Sequence, residues 1–221
     1  HRCQRKSKAK PAVAAQATMK ACAWLQEIRH YKVGWGFNEI TGPDADSTAW
    51  ALNLLRICDS HICDEDVQFL ISKWRPEGGF ATYDGPGSWG LAHPDVTPTV
   101  FMALPNGYRN ILRNQIIAYS RAARLSDGTW PAFWWRTCHY STLSNIELFE
   151  SLGVLDDFNL PIVHSDDTIH GIYSAFDLSC ALGITAIRIK EKHKVSAISR
   201  ELTCLQRNDG GWQGGLNLRV T

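Results

Sequence analysis

Apolar residues recur at helical spacing over most of the chain. Residues 11–30 show this well, because Ala17, Ala21, Trp24 and Ile28 fall on one side of a helix. Turn-forming residues and polar helix starts separate such segments. Alternating apolar and polar runs are never longer than a few residues, so the pattern predicts an all-α protein. The expected helices lie at about 11–30, 46–58, 64–74, 96–104, 108–124, 141–152, 168–183 and 190–206.

Glycine-aromatic turns repeat between these helices. Their aromatic residues, Phe37, Phe80, Trp130 and Trp212, follow one another at intervals of 43, 50 and 82 residues, the last close to two periods. A period of 40–50 residues built from two helices is typical of stacked helical hairpins, because one hairpin cannot bury its apolar face alone. The spacing therefore predicts an α/α barrel (toroid) of four to five helical hairpins with Gly-aromatic turns.

Composition limits the classes of function. The chain has 221 residues, a net charge of +1 and nine tryptophans, and its length suits one domain over 11–221 after a basic tail or linker at 1–10. The balanced charge argues against nucleic acid as a partner. Neither a membrane span nor a signal peptide is visible, and the seven cysteines are interpreted as reduced thiols, so we expect a cytoplasmic protein. Peripheral membrane contact and the oligomeric state stay open.

The segment 44–48, Asp-Ala-Asp-Ser-Thr, holds the main candidate chemistry. Asp46, Ser47 or Thr48 is expected to cap the helix that follows. Asp44 lies two residues before Asp46, and neighbouring carboxyl groups hold a proton more readily than one alone. A purely structural role as a helix cap is the alternative, since similar starts occur at Asp95, Ser141 and Asp167.

Two motifs make the chain resemble the terpene cyclase and prenyltransferase α/α-barrel superfamily, on the squalene–hopene and oxidosqualene cyclase side. One is the QW-type repeat: residues 205–212, Leu-Gln-Arg-Asn-Asp-Gly-Gly-Trp, match it well, and 24–26 with 34–35, 75–80 and 127–130 match in part. The other is 44–49, which resembles the Asp-x-Asp-Asp-Thr-Ala motif of class II cyclases with Ser47 in place of the last Asp. Triterpene cyclases carry two such domains, and this chain has room for one.

The resemblance implies protonation of an alkene or epoxide in a polyprenyl substrate, a small-molecule isoprenoid. Asp46 would be the general acid, Asp44 its neighbour, and Ser47 a hydrogen-bond donor to it. Aromatic side chains would stabilise the carbocations through their ring faces. The candidates for this lining are Trp35, Phe37, Trp50, Trp89, Trp134, Trp135, Tyr140 and Tyr173. Residues expected at the cavity rim are His93, Asp95, His139 and Asp167.

Two alternatives remain. A prenyltransferase β-like domain would use zinc, and its ligands would have to come from Asp95, Cys138, His139, Asp167 and His170. A non-catalytic α/α-barrel domain of a larger enzyme would only bind. The class II interpretation itself needs no metal cofactor, although a diphosphate substrate would bring Mg²⁺.

Overall fold

The computed structural model describes residues 11–30, 32–155, 174–187 and 192–214. The chain divides into two compact units, His1–Ile116 and Ile117–Thr221, and each is described by itself. The predicted basic tail, Asp167 and Tyr173 lie outside the described residues, as does His170. The single domain expected over 11–221 stays a prediction.

Unit 1 is built from helical pairs. Its helices are α1 (Pro11–Ile28), α2 (Ala45–Ile57), α3 (Asp64–Ser72), α4 (Thr97–Ala103) and the first part of α5 (Asn106–Ala122), with a 3₁₀ turn at Gly87–Gly90. Helix α2 packs against α4 and α3, and these contacts bury Leu52, Leu55, Leu70 and Phe101 completely or nearly so. Burial of large apolar side chains between the helices stabilises the unit.

Unit 2 contains the end of α5, then α6 (His139–Ser151), α7 (Ala175–Ile187) and α8 (Lys192–Leu205). Its core gathers Ile117, Trp130, Ile146, Phe149 and Ile184. Helix α7 packs against both α6 and α8. Over the described parts of both units the only extended pairings are two isolated bridges, Trp74 with Phe80 and Ala81 with Ala92, which agrees with the predicted all-α class.

The Gly-aromatic turns share one backbone geometry. In each turn an amide donates to the carbonyl four residues later: His30 to Gly34 (2.9 Å), Arg75 to Gly79 (2.9 Å), Leu125 to Thr129 (2.9 Å) and Arg207 to Gly211 (2.8 Å). In the last three turns the residue before that carbonyl is a glycine with positive φ, at Gly78, Gly128 and Gly210. Only glycine adopts this conformation without strain, so the glycines are required by the turn.

Two side-chain hydrogen bonds tie each turn to its helices. The indole N–H of Trp35, Trp130 and Trp212 donates to the carbonyl ten residues earlier, at 2.8, 2.6 and 2.8 Å. The backbone N–H of the turn aromatic then donates to a threonine Oγ1 near the start of the next helix. These pairs are Trp35–Thr48 (3.0 Å), Phe80–Thr97 (2.9 Å) and Trp130–Thr142 (3.2 Å). The bonds confirm the predicted repeat, with Trp35 rather than Phe37 as the first turn aromatic.

Two details differ from the sequence-based expectations. Cys22 and Cys58 form a disulfide between α1 and the end of α2, so the interpretation of all cysteines as reduced is wrong for these two. The two cysteines are 36 residues apart in the sequence, and the packing of the two helices brings them together. Helix α7 begins later than predicted, after Ser174, whose Oγ accepts from the Asp177 amide (3.1 Å). None of the helices in the described residues is long and apolar enough to cross a membrane.

Candidate active site

Asp44 caps helix α2. Its backbone is extended (φ −126°, ψ 161°), and its Oδ1 accepts from the amide of Ser47 at 2.8 Å. Its own amide donates to the carbonyl of Trp35 (3.0 Å), which fixes the helix start on the Gly-aromatic turn. The cap predicted at Asp46, Ser47 or Thr48 is therefore wrong, because the extended residue that precedes the helix is Asp44.

The carboxyl group of Asp44 is buried, with only 2% of the residue exposed. Its second oxygen, Oδ2, has no hydrogen-bond partner within the described part of the chain. Burial raises the pKa of Asp44 above its ordinary value, although bonds from Ser47 act in the opposite direction. Desolvation disfavours the charged form of a carboxyl group, so the site favours a protonated acid here.

Asp46 lies in the first turn of α2 and is half-buried. Tyr83 is a neighbour of both aspartates. Burial, and then the charges of Asp44 and Asp46, raise the pKa of Tyr83 to about 12. Tyr83 was not predicted as a site residue, because it lies in a loop 37 residues after Asp46 and no motif marks it.

A buried ion pair supports the turn in front of the aspartates. Asp66 on α3 accepts from the Gly34 amide (2.7 Å) and from two nitrogens of Arg29 (2.9 and 2.8 Å). Thr48 Oγ1 in turn donates to the Trp35 carbonyl at 3.2 Å. The backbone that positions Asp44 is thus held from both sides by charge-assisted and buried hydrogen bonds.

The second turn places His93 and Asp95 in positions that correspond to Asp44 and Asp46. The amide of His93 donates to the Phe80 carbonyl (3.0 Å), as that of Asp44 does to Trp35. Both side chains are buried. Burial lowers the pKa of His93 to about 4, so its imidazole is neutral near pH 7. That His93 and Asp95 lie at the rim of a cavity stays a prediction. Their correspondence to Asp44 and Asp46 was not predicted from the sequence.

The predicted lining residues of unit 1 differ in exposure. Trp35 is buried in the turn, whereas Phe37 is 63% exposed and Trp50 and Trp89 are also exposed. The ring of Trp89 packs on that of Tyr83 at a centroid distance of 5.6 Å. Trp35 thus lies in the turn that holds Asp44, and Trp89 lies against Tyr83.

Unit 2 holds a separate aromatic cluster. Trp135 stacks on Phe176 (4.3 Å) and contacts Tyr140 (5.0 Å), while Trp134 packs edge-on against Phe133 (5.0 Å). Next to this cluster, His139 Nδ1 is 3.5 Å from Asp177 Oδ1, and burial lowers the pKa of His139. Phe176 and Asp177 were not predicted, because both lie inside the helix expected at about 168–183 and no motif marks them.

Metal ligands do not converge in the described residues, where no group of three His, Cys, Asp or Glu side chains is arranged to hold an ion. Of the residues named for the zinc alternative, Asp95 belongs to unit 1, Cys138 and His139 belong to unit 2, and Asp167 and His170 lie outside the described ranges.

Comparison with known proteins identifies the fold. No protein-family model and no curated protein matches the chain. The structure of the type II terpene cyclase MstE from Scytonema matches with a TM-score of 0.76 and 24% identity, over 96% of this chain and 68% of that one. A variant of that enzyme with its substrate geranylgeranyl dihydroxybenzoate matches with a TM-score of 0.74 and 24% identity, over 96% and 69%.

Two further structures match as well. A protein from Actinoplanes has a TM-score of 0.76 and 24% identity, over 95% of this chain and 71% of that one. The ent-copalyl diphosphate synthase from Streptomyces platensis has a TM-score of 0.55 and 13% identity, over 94% and 42%. The chain therefore has the all-α, α/α-barrel type of fold found in class II terpene cyclases, which confirms the fold class and the resemblance predicted from the sequence.

Proposed function

We propose that the chain is a class II-type terpene cyclase that starts its reaction by protonating an alkene or epoxide of a polyprenyl substrate. The observation that carries the proposal is the buried carboxyl of Asp44 beside Asp46 at the start of α2, in a fold shared with such cyclases. An alkene is a very weak base, so the acid must keep its proton until the substrate is bound. Burial of a carboxyl pair favours that state.

We assign the proton transfer to Asp46 and a supporting role to Asp44. Asp44 is almost inaccessible and already uses Oδ1 to cap α2, whereas Asp46 is half-buried and can be reached by a substrate. Asp44 then raises the proton affinity of the pair, because two neighbouring carboxyl groups do not readily ionise together. Ser47, whose amide bonds to Asp44, is the candidate donor that orients the pair.

The reaction balances as an isomerisation. Asp46 gives its proton to one carbon of the double bond, or to the epoxide oxygen, and the cation formed is attacked by the next double bond. Loss of a proton from the final cation forms a new double bond and returns one proton to a base. Faces of the aromatic residues predicted as lining would stabilise the cations, at about 0.5–2 kcal/mol each.

The substrate class follows from the chemistry and from the relatives. MstE is described with geranylgeranyl dihydroxybenzoate, a prenylated aromatic acid. We extend to this chain only the shared feature, a polyprenyl group with a reactive alkene, which calls for no metal cofactor. If the substrate is a diphosphate, Mg²⁺ would accompany it. Such substrates partition into membranes, so peripheral membrane contact goes with this proposal.

Replacement of Asp46 with Asn tests the assignment. Asn keeps the size and polarity of the side chain but has no acidic proton. We expect turnover of a polyprenyl substrate panel to fall by at least about 10²-fold, the usual scale for loss of a general acid. The matched control is Asp64→Asn, at the start of α3, with its folded state checked by circular dichroism. Unchanged turnover in Asp46→Asn would exclude Asp46 as the acid.

The two alternatives give other results. A zinc-dependent prenyltransferase would purify with stoichiometric zinc, lose activity on chelation and join its prenyl group to an acceptor. A non-catalytic domain would bind a polyprenyl ligand without turnover, or bind none, in a calorimetric titration.

A further inference from the structure

One loop lies directly beside the aspartate pair. The amide of Ala45, the residue between Asp44 and Asp46, donates to the carbonyl of Thr82 at 3.0 Å. Residues 83–90 follow Thr82 at once, and we call them the tyrosine loop after Tyr83. Because one backbone hydrogen bond joins the two segments at this point, the loop and the pair are neighbours through their main chains.

Arg75 fastens both ends of the tyrosine loop. Its Nε donates to the carbonyl of Gly90 (2.7 Å), and its Nη2 donates to the carbonyl of Tyr83 (3.3 Å) and to Asp84 Oδ1 (2.9 Å). Lys73 Nζ also donates to Asp84. One guanidinium thus closes the loop, and five rigid donors make arginine suited to this task.

The loop is also folded tightly on itself. A Cβ atom at Gly90 would lie 2.1 Å from the Gly85 carbonyl oxygen, so only glycine permits this closure. Within the loop, the ring of Tyr83 packs on that of Trp89. Tyr83 is therefore presented by an ordered turn.

The tyrosine stays neutral where it stands. Its pKa of about 12, raised first by burial and then by the charges of Asp44 and Asp46, keeps the hydroxyl protonated at any physiological pH. Electrostatic coupling is mutual, so a charge at Tyr83 would in turn favour protonation of the aspartates. At working pH that charge is absent, and the half-buried side chain of Tyr83 is uncharged.

Other charged and titratable groups lie on the elements next to Tyr83. Lys73 and Arg75 bond to Asp84 at the outer side of the loop. From the start of α4 come His93, neutral because burial lowers its pKa to about 4, and the fully buried Asp95. The effect of a Tyr83 substitution on the pKa of Asp44 is therefore measured with all of these groups left unchanged.

We propose that Tyr83 is a positioning residue of the aspartate pair: carried by a loop that Arg75 fastens, its side chain keeps water away from Asp44 and Asp46, so that the pair retains its proton. The inference rests on the proposed function only where it concerns the use of the proton in a reaction. The effect of Tyr83 on the carboxyl groups is independent of that reaction. Exclusion of water by this side chain would maintain the desolvation that is the first cause of the raised pKa of Asp44.

Two substitutions at Tyr83 separate the ring from the hydroxyl. Tyr83→Ser removes the ring and admits water, whereas Tyr83→Phe keeps the ring. We expect the carboxyl pKa of Asp44, followed by carbon-13 NMR, to fall by about half a pH unit or more in Tyr83→Ser. In Tyr83→Phe it should stay at the wild-type value. The matched control is Tyr108→Ser, since the Tyr108 hydroxyl accepts from Gln68 (2.9 Å) in another part of unit 1.

A second variant keeps the inference testable if Tyr83→Ser does not fold. Arg75→Gln leaves Tyr83 unsubstituted but removes the hydrogen bonds by which Arg75 holds the loop. It should therefore also lower the carboxyl pKa of Asp44. With a turned-over substrate, the alkaline limb of the kcat profile should move to lower pH in both variants, with KM changed less than about twofold.

The NMR titration does not depend on turnover, so it is separate from the proposed reaction. If the wild-type chain cyclises nothing but Tyr83→Ser shifts the titration, the function fails and the inference stands. A titration unchanged in both Tyr83→Ser and Arg75→Gln overturns the inference. An equal shift in Tyr83→Phe overturns it too, since the hydroxyl and not the ring would then be responsible.

Discussion

The first and third Gly-aromatic turns have the same hydrogen-bonded frame and different chemistry. In both, a tryptophan amide donates to a threonine Oγ1, Trp35 to Thr48 and Trp130 to Thr142. Counted back from that threonine, Asp44 and Asp46 of the first turn correspond to Cys138 and Tyr140 of the third. The frame is a property of the repeat, whereas the paired carboxyl groups are a property of the first turn.

The helix caps make the same point. Cys138 begins α6 without a side-chain hydrogen bond to the helix, and Val96 does the same for α4, within the residues described. Only α2 of these three helices has a carboxylate cap. A side-chain cap contributes about 1 kcal/mol, and two helices of the repeat form without it. Capping alone therefore does not explain the aspartates of the first turn.

The largest expected effect tests the shared frame. Trp130 is fully buried and Trp35 nearly so, while Trp212 is 44% exposed. Replacing either Trp35 or Trp130 with Ala should reduce the free energy of unfolding by about 3–5 kcal/mol, because each leaves a large cavity. Trp212→Ala, the control, should cost less than half of that. Denaturant titrations measure the free energy of unfolding of all three variants. A small loss at only one of the two buried positions would contradict the claim that the first and third turns share one frame.

The next prediction concerns His93, the counterpart of Asp44 in the second turn. Its folded pKa of about 4 lies below the ordinary 6.5, so the folded state binds fewer protons than the unfolded state. The stabilisation is fully present above pH 6.5 and is lost as pH falls towards 4. Linkage gives a loss of about 3 kcal/mol over this range.

His93→Gln removes that dependence. The free energy of unfolding is measured at pH 7 and at pH 4.5 for the wild type and the variant. Between these pH values the wild type should lose more stability than the variant, by most of the about 3 kcal/mol given by linkage. Other acidic groups titrate in both proteins and cancel. Parallel slopes would mean that His93 is hydrated in the folded protein.

The smallest of the three effects separates frame from chemistry. Thr48→Val and Thr142→Val each leave a buried tryptophan amide without its acceptor, which costs about 1–3 kcal/mol. The loss of stability should be similar in the two variants. Turnover should fall in Thr48→Val, because its turn positions Asp44, and stay near wild type in Thr142→Val. Equal losses of turnover would contradict a catalytic role confined to the first turn.

The sequence predicted the elements well because their signals are local. Apolar spacing located α2 to within a residue at each end, and the Gly-aromatic turns revealed the repeat. The cap was assigned to the wrong residue, since several oxygen side chains stand in a row at 44–48 and only the backbone angles distinguish them.

The surroundings of the site were harder to predict, because they depend on contacts between distant segments. Tyr83 meets the aspartates through the Thr82–Ala45 hydrogen bond, and Cys22 meets Cys58 through the packing of α1 on α2. Neither pairing leaves a periodic or motif signal. Asp177 likewise lies inside the helix expected at about 168–183, and nothing in the sequence indicates its approach to His139.

Incorporation of solvent hydrogen tests the central claim most directly. The chain is incubated in D₂O with a polyprenyl substrate that it turns over, and the product is analysed by mass spectrometry and NMR. For an alkene substrate, protonation by Asp46 predicts a cyclic isomer with one deuterium at the carbon that is protonated first, and none of this product from Asp46→Asn. A product formed with loss of diphosphate and without deuterium at that atom would contradict the account.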